Sequence, residues 1–566
     1  MGTEGNTSDG ATRESSLDPA RSETPSTHRS FMHGTWEIPL QSSAERLDLS
    51  GKATGNEPDG SRGGKSDDGV ILKKQPNAAQ AAEVVEGRPS TKRNTVRAAA
   101  VRTQSRVAAS SDLQRVREAA RRDKRARFTA LLHHITLQRL RESFYALKRG
   151  AAPGVDGVVW KEYLQELDRR LGALHTAVHR GSYRAQPVRR TYIPKTDGTE
   201  RPLGIAALED KIIQHAVVTV LNAIYESDFV GISYGFRPGR SQHDALDAVA
   251  FGIEKRKINW VVDADFRKFF DTLDRRWLQR FMAHRIGDQR LLRLIGKWLT
   301  AGVLEGGQLT QSEVGTPQGA VISPLLANIY LHYVFDLWAL RWRRRTARGD
   351  MVMVRYADDT FLGFEHREEA ERFLAELRER VAQFGLSLHP EKTRLIAFGR
   401  FANAWCRRQG QRRAQTFDFL GFTHICGTAR SNGWFQLLRV TMAKRMHGKL
   451  AEIKQLLRRR LHDRPREVGR WLHKVLQGFY NYHAVPGNLR RLWSMRYRLL
   501  HCWWRILRHR SQLRMSWQRY FALVRTWLPS PECSIHILTR GFAPLTQGRS
   551  RMRAICTYGS VRGATG

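Results

Sequence analysis

Two short segments of the chain place carboxylates beside apolar, β-rich runs. In WVVDADF, side chains alternate along the predicted strand, so Asp263 and Asp265 share one face. In MVMVRYADDTFLGF, Asp358 and Asp359 separate two apolar stretches and are predicted to lie at the tip of a hairpin. Because Asp is also a favoured turn residue, this second pair taken alone fits a polar hairpin turn equally well.

The chemistry available to such a set of carboxylates is that of hard cations. Neighbouring carboxylates repel one another, and burial raises the cost of keeping them charged. Mg²⁺ relieves that repulsion and prefers carboxylate oxygens together with substrate phosphates. Two such ions about 3.5–4 Å apart can activate an attacking oxygen and stabilise a leaving one, which is phosphoryl-transfer chemistry on a nucleotide.

The charge of the chain points to a polyanionic partner. The 566 residues carry a formal net charge of +41, and residues 431–566 hold +23 of it, whereas residues 1–110 hold only +1. An ordinary exposed surface mixes both signs, so this excess favours a surface that binds the backbone of nucleic acid. The sequence contains no run of about 18 apolar residues and no secretory signal, so we expect no membrane span and a cytoplasmic location.

Aromatic residues alternate with basic residues in the C-terminal part. Their helical spacing favours a core of packed helices, although aromatics among arginines could also stack on bases. Both interpretations stay open for these side chains: Trp471, Tyr480, Tyr482, Trp493, Tyr497, Trp503, Trp504, Trp517 and Tyr520.

The chain divides by pattern into a low-complexity start, a mixed segment and a helical end. The first 75 or so residues lack periodicity and are predicted to be disordered. Helical periodicity begins near Ser111, and mixed α/β character extends to about 430, with helical character from about 440. Strands are predicted at 191–194, 260–266, 351–356, 360–364, 395–399 and 417–422, and helices at 209–225 and 367–384.

Several further motifs occur in a fixed order around the aspartates. They are YALKRGAAPGVDG, YIPKTDGTERPLGI, YGFRPGRSQHDAL, DADFRKFFDTLD, GTPQGAVISPLLANIYL, YADD, GLSLHPEKTRLIAFG and FLGF, followed by HKVLQGFYNYHAVPGN. With these blocks, residues 110–566 resemble the bacterial group II intron-encoded reverse transcriptase/maturase family. Each block alone would be weak evidence, whereas their shared order makes the resemblance specific.

The resemblance implies a right-hand polymerase fold, with α/β fingers and palm built on an antiparallel sheet, then an all-α thumb. The expected segments are a disordered to basic extension at 1–110, fingers and palm at 111–430, and a helical thumb or maturase domain at 431–512. A basic DNA-binding tail is expected at 513–566. Cys533 and Cys556 stand without CxxC partners, so we expect no HNH endonuclease in that tail.

In this family pattern, Asp265, Asp358 and Asp359 are the catalytic carboxylates that hold two Mg²⁺ ions. Asp265 is preferred over Asp263 because Phe270 follows it by five residues, where the family carries an aromatic gate against the sugar 2′-hydroxyl. The less favoured alternative for Phe270 is an ordinary core position beside Phe269, and Asp263 is expected to be structural.

The same pattern implies contacts to the incoming dNTP. Lys195 and Arg201 flank a predicted turn of the fingers and would bind the triphosphate, the first as a point charge and the second as a fork. Gln318 would line the nucleotide pocket. Lys392 would contact the triphosphate or protonate pyrophosphate, and a solvated surface position fits it about as well.

Contacts to the template and primer are also implied. Arg237 and Arg240 are expected to touch template phosphates. The primer grip is expected at Phe419, Leu420, Gly421 and Phe422.

The implied function is an RNA-directed DNA polymerase that also binds group II intron RNA, assists its splicing and supports retromobility. Its partners would be that RNA, an RNA template, a DNA primer, dNTPs and target DNA. The alternatives are a splicing factor with an inactive polymerase fold, or a reverse transcriptase of retron or domesticated type.

Overall fold

The computed structural model describes residues 112–194, 200–310, 315, 319–429, 432–510, 516–525 and 527–532. All of these described residues belong to one compact unit. The predicted disorder of the first 75 residues and most of the predicted tail, including Cys533 and Cys556, therefore lie outside the described residues.

Helices make up most of the described regular structure. Those before the central sheet's hairpin are α1 (112–122), α2 (Leu137–Ala146), α3 (Trp160–Gln165), α4 (Leu167–Arg180), α5 (Leu208–Asp228), α6 (Gln242–Lys255), α7 (Phe269–Thr272), α8 (Arg275–Ala283), α9 (Gln289–Thr300), α10 (Ser323–Leu331) and α11 (Leu337–Arg345). Those after it are α12 (Arg367–Ala382), α13 (Ala402–Arg408), α14 (Ala443–Arg459), α15 (Pro465–His483), α16 (Leu489–Arg510) and α17 (Trp517–Arg525). A 3-10 turn at Leu132–His134 and a π-helical turn at His332–Asp336 complete the set, and none of the described helices is long and apolar enough to cross a membrane.

Eleven strands form three sheets in the described part of the chain. The strands are β1 (Val188–Pro194), β2 (Glu200–Ile205), β3 (Trp260–Ala264), β4 (Val303–Glu305), β5 (Gln308–Thr310), β6 (Met351–Tyr356), β7 (Asp359–Phe364), β8 (Arg394–Ala397), β9 (Phe417–Phe419), β10 (Phe422–Thr428) and β11 (Phe435–Thr441). Their orders are β2-β1-β4-β5, β6-β7-β3-β8 and β11-β10-β9, and every pairing except β1 with β4 is antiparallel. This confirms the predicted mixed α/β content with antiparallel sheets.

The central sheet, β6-β7-β3-β8, is buried on both faces. One face sends Val261 and Phe361 into a core shared with α6 and with β9. The other sends Val262 and Leu362 into a second core, which α12 covers. Because successive side chains alternate between faces, a strand covered on both sides reads as a continuous apolar run. That is why the sequence carries such runs at these strands.

Two predicted elements differ from the observed ones. Residues 417–422 form two strands and not one, because Leu420 and Gly421 have positive φ angles of +48° and +84° and turn the chain back on itself. A two-residue hairpin loop requires this backbone, and glycine adopts it without strain. In addition, β11 (Phe435–Thr441) lies inside the segment predicted to be helical from 431, and the described helices of that segment follow it.

The C-terminal helices α14–α17 share a core of their own. Some aromatic residues of these helices are buried in that core, and others are exposed. Tyr480, Trp503 and Tyr520 are almost fully buried in it. Trp493 and Tyr497 are 46% and 58% exposed. The buried rings therefore pack in the helical core, whereas the exposed rings are free to stack on bases.

A buried carboxyl group at the start of α5 (Leu208–Asp228) gives the fold a pH-sensitive contact. Asp210 accepts hydrogen bonds from the Tyr183 hydroxyl and, at 3.2 Å, from the Gln186 backbone nitrogen. Trp298 Nε1 donates to the same Tyr183 hydroxyl at 3.0 Å. Burial raises the pKa of Asp210 from 3.8 to about 7. The folded state therefore binds a proton in a pH range where the unfolded carboxyl is ionised.

We expect Asp210→Asn to change how stability depends on pH. Folding of the native protein takes up a proton between pH 4 and pH 7, so its free energy of unfolding falls as pH rises through that window. The amide has no proton to take up, so the variant's stability relative to the native protein should rise with pH, by up to about 1.4 kcal/mol per unit. Urea unfolding at several pH values between 5 and 8 measures this. A difference that is constant with pH would contradict the raised pKa.

Candidate active site

The hairpin of β6 (Met351–Tyr356) and β7 (Asp359–Phe364) carries two of the aspartates, as the sequence predicted. Tyr356 pairs with Asp359, so Ala357 and Asp358 form a two-residue loop. Ala357 has a φ angle of +56°, which costs free energy for a residue with a Cβ. A positive φ angle at a residue with a Cβ is kept only where neighbouring residues stabilise it. The residues that contact this loop therefore help to fix the geometry of the site.

The third aspartate lies at the same edge of the central sheet. β3 (Trp260–Ala264) runs antiparallel to β7, and its last residue Ala264 pairs with Thr360. The next step of that register brings Asp265 opposite Asp359. The structure therefore brings Asp265, Asp358 and Asp359 together, from two chain segments more than 90 residues apart in the sequence.

The electrostatics of Asp358 show how closely these groups interact. Burial raises the pKa of Asp358, and the negative charge of Asp265 raises it further. Arg201, on β2 (Glu200–Ile205), acts in the opposite direction. Arg201, which was predicted to bind the triphosphate, therefore lies near the aspartates, although it belongs to a hairpin of a different sheet.

A lysine already faces Asp265. The Lys392 ammonium lies 2.9 Å from Asp265 Oδ2, with 64% of its side chain exposed. The backbone carbonyl of Asp265 accepts from the His389 nitrogen at 2.7 Å, which ties the segment carrying Lys392 to the end of β3. Lys392 thus occupies the position where a cation would meet this carboxylate.

The types of side chain at this site suit a hard divalent cation, but their positions in this structure do not yet form a metal-binding site. The charge of Asp265 raises the pKa of Asp358, and a lysine lies beside Asp265, so these neighbouring side chains are a donor set suited to Mg²⁺. Within the described residues, however, no group of three or more His, Cys, Asp or Glu side chains is arranged to hold a metal ion. Asp265 is directed to Lys392 instead, so binding of a cation would require that ion pair to open.

Asp263 has a different environment from Asp265. It pairs across the sheet with Arg394 on β8 (Arg394–Ala397), and their side chains are 3.5 Å apart. Burial raises the pKa of Asp263 to about 6, although Arg394 opposes the shift. This ion pair with a neighbouring strand agrees with the structural role expected for Asp263.

A buried arginine that the sequence interpretation missed supports the loop of the hairpin. The side chains of Arg355 and Asp336 are fully buried and joined by two hydrogen bonds of 2.7 and 2.6 Å. Arg355 also donates to Asn328, to Ser233 and, at 2.9 Å, to the carbonyl of Ala357. Its guanidinium therefore fastens the strained loop to the π-helical turn that ends at Asp336. A single charge within the apolar run MVMVRY was the signal available in the sequence.

A glycine lets a second segment approach the same loop. A Cβ on Gly235 would lie 2.3 Å from the backbone nitrogen of Ala357, so only glycine fits there. The carbonyl of Gly235 accepts from Asn328 Nδ2 at 2.7 Å, and Asn328 is also a partner of Arg355. The loop that follows α5 is therefore packed directly against the hairpin tip.

The arginines of that loop correct one expectation. Arg237 is buried, and its guanidinium is used in bonds to Glu226 and to the carbonyls of Val230 and Ser233. It is therefore unavailable to template phosphates and braces the loop instead. Arg240 is half-buried and also donates to a carbonyl of this loop, Ser233, at 3.0 Å.

The other predicted nucleotide contacts fall into two groups. Phe270 is the second residue of α7 (Phe269–Thr272) and is half-buried, whereas its neighbour Phe269 is in the core. A side chain that is partly exposed five residues after Asp265 is compatible with the predicted gate and with a core position alike. Lys195 and Gln318 lie outside the described residues.

The FLGF turn packs on the central sheet. Phe419, Leu420 and Phe422 are buried, and the Phe419 ring lies 6.4 Å from that of Phe361 on β7. Tyr482 of α15 donates its hydroxyl to the Leu420 carbonyl at 2.7 Å. Gly421 is buried as well, and its carbonyl accepts from the Met442 nitrogen at 3.2 Å, so the turn is held by the residues around it.

An antiparallel sheet edge with clustered aspartates, faced by cations, is the type of site found in enzymes that transfer nucleotides. Comparison with known families agrees, since residues 193–424 match the model described as reverse transcriptase (RNA-dependent DNA polymerase). That range contains Asp265, Asp358 and Asp359. The chain therefore carries a reverse transcriptase domain.

Similar proteins connect this domain to introns. The chain is 46% identical over 156 residues to the group II intron-encoded protein LtrA of Lactococcus lactis, which is 27% of this chain and 25% of that protein. It is 38% identical over 225 residues to the protein YkfC of Escherichia coli, 37% of this chain and 58% of that protein. It is 28% identical over 400 residues to an uncharacterized 91 kDa protein in the cob intron of Schizosaccharomyces pombe, 58% of this chain and 47% of that protein. The matches thus span about a quarter to three-fifths of these relatives.

We expect that removing one partner of the Arg355–Asp336 pair destabilises the protein far more than removing both partners. Arg355→Met leaves the Asp336 carboxylate buried without its cation and should lower the free energy of unfolding by about 3–5 kcal/mol. Arg355→Met combined with Asp336→Leu removes both charges and should recover most of that loss. Chemical unfolding of the three proteins measures it.

The double variant also distinguishes the contribution of Arg355 to global stability from its contribution to holding the hairpin loop. It still lacks the donor to the Ala357 carbonyl, so hydrogen exchange at the hairpin tip should be faster than in the native protein even where global stability is recovered. Native-like exchange at the tip in the double variant would show that Arg355 does not hold the loop.

Proposed function

We propose that this protein is an RNA-directed DNA polymerase that extends a DNA primer along an RNA template. The observation that carries the proposal is the convergence of Asp265, Asp358 and Asp359 at one sheet edge, within a reverse transcriptase domain. The primer 3′-oxygen would bond to the α-phosphorus of a dNTP, and the bond to the pyrophosphate oxygen would break.

The roles of the residues follow from their positions. Asp265, Asp358 and Asp359 would hold two Mg²⁺ ions, which supply activation of the attacking oxygen and stabilisation of the leaving one. Arg201 would bind the triphosphate from the β1–β2 hairpin, since it already lies in the field of Asp358. Lys392 would move from Asp265 to the phosphates when the substrate binds.

The remaining nucleotide contacts are proposed on sequence grounds. Lys195 would add a second cation to the triphosphate from the turn between β1 and β2, and Gln318 would line the nucleotide pocket. Phe270 would pack beneath the sugar and exclude a 2′-hydroxyl by steric clash. The segment that contains the FLGF turn would hold the primer end.

We further propose that the protein binds group II intron RNA and assists its splicing and retromobility. The support is the similarity to a group II intron-encoded protein, together with the basic C-terminal helices that expose Trp493 and Tyr497. In this arrangement the thumb would be formed by α14–α17. The intron RNA, template, primer and target DNA would be polyanionic partners of the basic surface.

A splicing factor with an inactive polymerase fold is the second candidate. Its support is that no metal-binding group is preformed among the described residues. The three aspartates, with Arg201 and Lys392 beside them, favour the active enzyme, because an inactive fold has no need of carboxylates held close enough to repel one another.

Replacing both hairpin aspartates distinguishes these candidates. Asp358→Ala/Asp359→Ala should reduce primer extension on poly(rA) with oligo(dT) and Mg²⁺ by at least about 1,000-fold, because charge neutralisation supplies much of the catalysis. RNA binding should be unchanged. Glu368→Ala/Glu379→Ala, on the exposed side of α12, removes the same charge and should leave extension intact. Equal extension by native and hairpin variants would contradict the assignment.

The lysine at Asp265 gives a separate expectation about cation binding. Because the Lys392 ammonium competes with any cation for Asp265, Lys392→Met should lower the Mg²⁺ concentration needed for half-maximal binding several-fold. Calorimetric titration with Mg²⁺ measures this without turnover. An unchanged binding curve would show that this ion pair does not oppose the metal.

A further inference from the structure

A short arginine-rich helix lies on the outside of the domain, away from the aspartates. The segment 400–413, which contains α13 (Ala402–Arg408), holds five arginines and no acidic residue. All five are exposed, and none forms an ion pair with a carboxylate within the described residues: Arg400, Arg407, Arg408, Arg412 and Arg413. We name this set the α13 arginine surface.

The helix is anchored by its other side. Ala402 and Cys406 pack with Ala397 of β8 in a small core. Asn403 donates to the Cys426 carbonyl of β10 at 3.4 Å and accepts from the Ala414 nitrogen at 3.0 Å. These contacts hold α13 at a fixed angle, so the arginines are presented from a rigid element.

Exposed aromatic side chains accompany the arginines. Phe401, directly before the helix, is 64% exposed, and Trp434, at the turn of the β10–β11 hairpin, is 74% exposed. Trp434 lies about 10 Å along the hairpin from Cys426, which contacts α13. Phe401 follows Arg400 directly in the chain, so an exposed ring and an unpaired guanidinium group, the two parts of a binding site for single-stranded nucleic acid, lie together here.

Other exposed arginines of the protein have different surroundings. On α12, Arg367 and Arg372 are paired with Glu371 and Glu376 one turn away. On α11 (Leu337–Arg345), three consecutive arginines are exposed, but the neighbouring Trp342 is buried. The α13 arginine surface therefore differs from α11 and α12 in combining unpaired charge with an exposed aromatic ring, a combination that α16 also shows at Trp493 and Tyr497.

This surface is distinct from the proposed active site. β8 runs antiparallel to β3, so its last residue, Ala397, pairs with Trp260 at the opposite end of β3 from Asp265. Five residues of strand separate Trp260 from Asp265, a distance of about 17 Å. A nucleic acid bound at α13 therefore lies outside the reach of the reacting nucleotide.

We propose that the α13 arginine surface, with Phe401 and Trp434, is a second nucleic-acid site that binds an unpaired segment of RNA. The arginines contact phosphates as forks, and the aromatic rings stack on bases, which are accessible only where RNA is unpaired. An acidic protein partner would account for the arginines but not for the exposed aromatic rings, whereas unpaired RNA accounts for both. The proposal rests on the proposed function only in taking RNA as the partner.

The test compares variants of equal net charge. One carries Arg407→Ala, Arg408→Ala and Arg412→Ala, and its control carries Arg343→Ala, Arg344→Ala and Arg345→Ala on α11. Fluorescence anisotropy with a labelled unstructured RNA should show at least tenfold weaker binding by the first. The slope of log affinity against log salt should fall by about 2, since three phosphate contacts are lost. The control should change affinity less than threefold.

Phe401→Ala tests the stacking contribution separately. It should weaken binding of the unstructured RNA by about fivefold or more with no change in salt slope, and should leave binding of a fully paired RNA unaltered. Extension of a short template–primer, which does not extend beyond the active site, should be native-like in all these variants. That readout distinguishes failure at α13 from failure of the polymerase assignment.

Three outcomes would overturn the proposal. Equal loss in the α11 control would show that net charge alone sets the affinity. Unchanged binding in the α13 variant would show that RNA lies elsewhere. Competition by polyglutamate at lower concentration than by RNA would indicate an acidic protein as the partner.

Discussion

Mutual repulsion among carboxylates is the constraint on which this structure depends. Asp265 and the Asp358–Asp359 pair meet at one sheet edge, where the charge of Asp265 makes the charged state of Asp358 less favourable. Such a cluster destabilises a fold unless cations compensate it. The surrounding structure accordingly supplies Arg201 and Lys392, and it holds the hairpin loop from behind with the buried Arg355.

The support for this cluster extends well beyond the residues that would touch a substrate. A π-helical turn provides Asp336, a glycine permits a neighbouring loop to approach within contact distance, and two strands fix the register. Buried ion pairs contribute little net stability, so their value lies in fixing one arrangement. Here the arrangement that is fixed is the geometry of a loop with a positive φ angle at Ala357.

Much of this could be predicted from the sequence, because apolar periodicity and turn chemistry are local signals. The strands and the hairpin follow from alternation and from the placement of Asp358 at a turn, whereas the convergence of the three aspartates was expected from the family resemblance. Long-range pairing is not a local signal. Arg237 in a Gly- and Pro-containing loop suggested a phosphate contact, but it is saturated by Glu226 and by backbone carbonyls. The partners of Arg355 likewise lie up to 122 residues away.

The most direct test of the central claim is to locate divalent cations in the protein. Crystals of the native chain with a template–primer and a non-reacting dNTP analogue, grown with Mn²⁺, would reveal the metal by anomalous scattering. We expect two peaks about 3.5–4 Å apart among Asp265, Asp358 and Asp359. A triphosphate bound at this sheet edge with Lys392 still paired to Asp265, and no anomalous peak between the carboxylates, would contradict it.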